Sequence, residues 1–154
     1  MKTTVQTEKY LNDLLEKTYD AQRGYANAAE ITEHVQLKRW FAEQGARRTH
    51  YAASLTKELK AMNQDPELDG SFKGDMHRGW MNLKAALSLN KDESILEECI
   101  TGEKKAIEEY TMVLEHKSEL PPTVVSILEA QKDEIQSTVN TIKRLEDIAD
   151  DHNL

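Results

Sequence analysis

The chain has 154 residues, 31% of them charged, and a net charge of −8. Phosphate backbones and anionic lipid are repelled by such a charge, which argues against nucleic-acid and membrane-surface binding. No apolar run approaches the roughly 18 residues of a spanning helix, and the opening MKTTVQTEKYLNDLLEK has no uninterrupted apolar stretch of the signal-peptide kind.

A single cysteine, Cys99, excludes an intrachain disulfide and suits a reducing compartment. The expectation is therefore a cytoplasmic protein. The length fits one domain over residues 1–154 with a core of its own. With only 6 Gly and 3 Pro, the composition favours long helices with few turns.

Thr3 followed by Gln6 reads as a capping box. From there Leu11, Leu15, Thr18, Gln22, Tyr25 and Ala29 repeat at spacings of four and three, which predicts a helix over about 4–31. Gly24 lies inside it, where a close helix neighbour would explain it. The phase breaks at Thr32–Glu33. A second helix then carries Leu37, Trp40, Phe41, Gln44, Arg47 or Arg48, Tyr51, Leu55, Leu59 and Met62, ending before Asn63-Gln64-Asp65-Pro66. The short connection makes a first antiparallel hairpin over about 4–63.

Residues 64–91 differ, with Gly70, Gly74 and Gly79 around Phe72, His77 and Trp80. This stretch reads as a crossover carrying a short amphipathic helix from Trp80 to Leu87, since it is too long for a tight turn. Asp92 can cap the next helix, whose stripe is Leu96, Cys99, Glu103, Ala106, Tyr110, Val113 and Lys117, widened by Ile100, Ile107 and Leu114. Leu120-Pro121-Pro122 breaks it. A fourth helix follows with Val124, Leu128, Gln131, Ile135, Thr138, Ile142, Leu145 and Ala149, closing a second hairpin over about 92–150. The fold class expected is all-α, a four-helix bundle of two antiparallel hairpins joined by a long crossover.

The hairpins can be laid on one another. Thr18 then matches Cys99, Gln22 matches Glu103, and Gln44-x-x-Arg47-x-x-x-Tyr51 matches Gln131-x-x-Glu134-x-x-x-Thr138. This places polar residues at one depth on all four helices. Carboxylate-bridged di-iron proteins keep their metals at that depth.

Most of the chain resembles a bacterial family of ferritin-like four-helix proteins whose domain has no known function. LNDLLEKTYDAQRGYANAAE, the 41–55 segment, HRGWMNLKAAL at 77–87 and LEECITGEKKAIEEY at 96–110 carry the likeness. Its most specific parts are His77-Arg78-Gly79-Trp80 and the Cys99…Gly102-Glu103…Tyr110 pattern. The resemblance implies a ferritin-like bundle, oligomeric, with a stress-related association and no assigned reaction. The chain departs from the pattern at Gln22, where an acid is common, and at Ala46, where Glu is common. Both departures weaken a metal site.

A di-metal carboxylate centre needs about four carboxylates and two histidines, including Glu-x-x-His on two helices so that both ligands share one face. None of the five histidines has an acid three residues before it. If iron or manganese binds, the residues are Glu43, His50, Glu103 and Glu134, and the protein is a metal-binding or ferroxidase-like oxidoreductase. The favoured reading is a buried, metal-free polar layer. In it Arg47 meets Glu103 or Glu134, and Gln22, Gln44 and Gln131 satisfy the remaining donors and acceptors.

His77, Arg78 and Trp80 are a possible interface, more simply explained by Trp80 packing on the bundle side or at a subunit contact. Cys99, in an apolar stripe beside Glu97 and Glu98, should have a raised pKa and low reactivity. The five tyrosines read as core or snorkelling residues. No phosphate loop, nucleophile elbow or Cys-x-x-Cys occurs. The expectation is a non-enzymatic structural, stress-related or interaction protein without catalytic residues or cofactor. A homodimer is expected, because the amphipathic crossover must cover its apolar side.

Overall fold

The computed structural model describes residues 2–66 and 92–152, with side chains over 5–66 and 92–145. Those residues form four α-helices and no strand. They are α1 (Lys2–Ile31), α2 (Val35–Ala61), α3 (Asp92–Leu114) and α4 (Pro122–His152), with a 3-10 turn at Lys117–Glu119. No described helix is long and apolar enough to cross a membrane.

Helix ends fall where the chain supplies end chemistry. α1 is already helical at Lys2, so the start expected at Thr3 falls inside the helix. The break at 32–34 is short, and His34, in an extended conformation, accepts from the Leu37 amide through Nδ1 at 3.4 Å. α2 ends on Asn63, whose φ of 61° is left-handed, with the amides of Met62 and Gln64 both turned back to the Leu59 carbonyl. Asparagine tolerates that conformation better than most side chains.

Asp92 and Glu93 occupy the first turn of α3, where the helix dipole favours acids. The Asp92 carboxylate accepts from Thr32 Oγ1 at 2.7 Å and ties α3 to the α1–α2 turn. α4 opens with Pro122 as its first residue, and the Pro121 carbonyl accepts from the Val125 amide at 3.1 Å. α3 stops at Leu114, so Lys117, which extends the stripe in the sequence, is exposed in the 3-10 turn.

α1 packs along α2 and α3 along α4, while α1 touches α3 and α2 touches α4 more lightly. Every neighbouring pair is antiparallel. Lys38 reaches the Ala29 carbonyl and Gln22 reaches Thr49. Thr32 meets Asp92 at one end of α1, and Tyr10 stacks on His116 at the other. Tyr51 meets Glu134, and Glu58 meets Thr123. It follows that α2 and α3 run parallel, and the end of α2 and the start of α3 lie at opposite ends of the bundle. The crossover expected over 64–91 lies, from residue 67, outside the described residues, as do its short helix and His77, Arg78 and Trp80.

The core is in two blocks. One gathers Leu11, Leu14, Leu15, Leu55, Leu59, Val124, Leu128 and Ile135 towards the α3–α4 turn. The other gathers Ala28, Leu37, Phe41, Ile95, Leu96, Cys99 and Ile142 towards the α1–α2 turn. Each fully buried aliphatic side chain contributes about 1.5–3 kcal/mol. Gly45 marks the close approach of α1 and α2, since a Cβ there would sit 3.8 Å from the Gln22 carbonyl oxygen. Gly24 is buried as well.

Candidate functional site at the bundle centre

Polar side chains sit between the two apolar blocks. Glu103 of α3 has no exposed surface, and Arg48 of α2 is 4% exposed. Arg48 Nη2 donates to Glu103 Oε1, and Tyr25 Oη of α1 donates to Glu103 Oε2 at 2.8 Å. Both carboxylate oxygens are thus engaged, one by a charged donor and one by a neutral one. The guanidinium also lies 5.4 Å from the centroid of the Tyr51 ring, a cation–π contact. Beside it Tyr110 Oη donates to Gln131 Oε1 at 2.6 Å, and Thr138 Oγ1 lies 3.4 Å from Gln44 Oε1.

This changes the expected layer in three respects. The sequence placed Arg47 among the buried residues, facing Glu103 or Glu134. In the structure Arg48 faces Glu103, while Arg47 and Glu134 are exposed and sit 3.8 Å apart at the surface. Glu134 also accepts from Tyr51 Oη at 2.9 Å. Gln22 is half-buried and donates to Thr49 Oγ1 at 2.5 Å, away from Glu103. Gln44 and Gln131 are buried.

The reason is helical phase. Arg48 lies seven residues from both Phe41 and Leu55, which are fully buried. Arg47 lies seven from Trp40 and Ser54, which are only partly covered.

Burial pushes the Glu103 carboxyl up from its ordinary range, against the pull of Arg48 and the Tyr25 hydrogen bond. Burial also works against the charge on Arg48, but Glu103 and the tyrosines around it outweigh this and hold the guanidinium protonated. Burial raises the Tyr25 hydroxyl well above normal, with Glu103 adding to the effect. It pushes Tyr110 up to about 12. These hydroxyls stay protonated and act as donors.

Cys99 is buried, and its thiol is held well above normal by burial, then by Glu103 and Glu98. That makes it a poor nucleophile. Glu16 and Asp20 are buried acids on α1 that the sequence did not single out. Burial raises Asp20 to about 7, against Arg23 and Lys17 and with Glu16 adding to the rise.

The residues weighed for a metal are divided. Glu43, His50 and Glu134 line an open groove of about 590 Å³ between α2 and α4, together with Ala46, Arg47, Ile127 and Ala130. Glu103 is not part of that groove; it is in the core on Arg48 and Tyr25. Among the described residues, no three or more His, Cys, Asp and Glu side chains group in a way that could hold a metal ion.

The sequence model of a family described as a domain of unknown function (DUF2383) matches residues 6–116, most of the chain. No curated protein matches the sequence.

Proposed function

The chain belongs to the DUF2383 family, whose function is unknown, and from that premise we propose that it is a non-enzymatic, ferritin-like helical-bundle protein of a single domain with a structural, stress-related or interaction role. It acts in the cytoplasm as a homodimer. Its buried glutamate is neutralised by a guanidinium, and no cofactor is required.

The observation that carries this reading is the occupation of Glu103 by Arg48 and Tyr25. A carboxylate that already holds a permanent cation on one oxygen and a hydroxyl on the other would have to compete those partners away to coordinate iron or manganese. The parallel course of α2 and α3 supports the ferritin-like reading, because bundles of that kind carry one long crossover. The alternative, a di-iron or di-manganese carboxylate protein, would need Glu103 to leave Arg48 and join Glu43, His50 and Glu134.

Metal analysis tests this. Protein purified without chelator, exposed to excess Fe(II) or Mn(II) and desalted, should carry far less than one ion per chain. About two ions per chain, lost in Glu103→Ala, would overturn the reading.

A further inference from the structure

The groove between α2 and α4 has a floor of two buried side chains, Tyr51 and Gln131, each 5% exposed. Gln131 Oε1 is held by the Tyr110 hydroxyl at 2.6 Å, which anchors the amide and turns its Nε2 end away from Tyr110. Among the described residues Nε2 has no hydrogen-bond partner, and it is not sealed off in the core, so its N–H donors face the groove. A buried amide costs free energy that an apolar side chain would not, and that cost is offset when its donors are met.

A second tyrosine positions an acceptor beside it. Tyr51 Oη donates to Glu134 Oε1, the oxygen that also faces Arg47, while Oε2 takes no hydrogen bond among the described residues. Gln131 and Glu134 are three residues apart on α4, about 4.5 Å along its axis. A donor and a carboxylate, each held by a tyrosine, therefore stand side by side on one wall of the groove, arranged before anything binds.

We propose that the groove binds a small organic cation bearing a carbonyl group. Its carbonyl oxygen accepts from Gln131 Nε2, and its ammonium lies at Glu134. Charge selects the cation. With His50 uncharged, the groove sets two carboxylates, Glu43 and Glu134, against one guanidinium, Arg47, on a chain of net charge −8. A ligand carboxylate or phosphate could also accept from Gln131, but that field repels it. Arg47 does not block Glu134, since it stands 3.8 Å away and both side chains are about half exposed. Ala46, Ile127 and Ala130 give apolar wall for a short hydrocarbon chain between the two polar ends. The volume, about 590 Å³, is that of a small-molecule site. The inference adds a ligand to the proposed function and depends on neither the homodimer nor the metal-free centre.

Chemical-shift titration by NMR on the full chain tests it, with N-acetylputrescine as the probe. The n-butylammonium ion serves as the probe without a carbonyl, and N-butylacetamide as the probe without a charge. N-acetylputrescine should bind a single site with a Kd of about 1 mM or tighter and move the Gln131 side-chain amide signal. Each lost end should weaken binding by about tenfold. Glu134→Gln should cost N-acetylputrescine about tenfold. Gln131→Leu should cost as much and erase its advantage over n-butylammonium. Circular dichroism checks folding. Glu134 is exposed, so its variant and the probe comparison decide the matter even where Gln131→Leu does not fold. A failure of N-acetylputrescine to saturate, an equal affinity for n-butylammonium, or indifference to Glu134→Gln overturns the site. The homodimer and the metal-free centre stand or fall on other measurements.

Discussion

Arg47 and Arg48 are neighbours in the chain, and each meets a glutamate from the other hairpin, yet the two pairs sit in different media. Arg47 and Glu134 are 44% and 52% exposed and 3.8 Å apart. Water and salt screen that attraction, and ordering two long side chains offsets much of what remains. Arg48 and Glu103 are 5% and 1% exposed. Their attraction is far less screened, but both charges have been taken out of water, and that cost is of similar size.

The lesson is that a buried pair is a mutual obligation. It adds little net stability over a well-packed apolar pair, but losing one partner strands the other. The exposed pair carries no such penalty, because water takes over when a partner leaves.

The sharpest way to break the comparison is Arg48→Met, which leaves Glu103 buried without its cation. Urea unfolding should show a loss of about 3–5 kcal/mol, and a loss under 1 kcal/mol would mean that the two pairs do not differ. Next comes Tyr25→Phe, which removes the hydroxyl on Glu103 Oε2. A hydrogen bond to a charged group contributes about 1.5–3 kcal/mol, and the same titration should lose that much.

Asp20 sharpens the comparison through pH. Its folded-state pKa, about 7, lies above the ordinary 3.8. The folded chain therefore keeps a proton that the unfolded chain releases between those values. The stability this group confers is present at the acid end of the window and lost as pH rises through 7. Asp20→Asn should raise thermal stability at pH 8 by at least about 1 kcal/mol, the order of a single pKa unit. The advantage should shrink towards nothing near pH 4, and an advantage constant across that range would rule out the titration. The smallest effect is reserved for the surface: Arg47→Ala should cost under about 1 kcal/mol in urea.

The helices themselves were legible. Spacings of four and three placed all four and put Leu11, Leu55, Leu96 and Leu128 inside, because burying an apolar stripe is a periodic constraint that periodic sequence records. The choice between Arg47 and Arg48 was not settled by spacing between Gln44 and Tyr51, since either residue fits there. The signal was present one heptad away in each direction, where Phe41 and Leu55 flank Arg48 but Trp40 and Ser54 flank Arg47.

The tyrosine hydroxyls on Glu103 and Gln131 were hidden for another reason. A tyrosine in a core stripe reads as an apolar body, and its partner is fixed only by the packing of other helices. Glu16 and Asp20 look like surface acids in the sequence, and only the fold encloses them.

A double-mutant cycle on Arg48→Met and Glu103→Gln, read by urea unfolding, tests most directly whether the guanidinium is what neutralises the buried acid. A coupling above about 2 kcal/mol, with the double variant recovering most of what Arg48→Met loses, is the predicted result. Additive losses, coupled by less than about 0.5 kcal/mol, would contradict it.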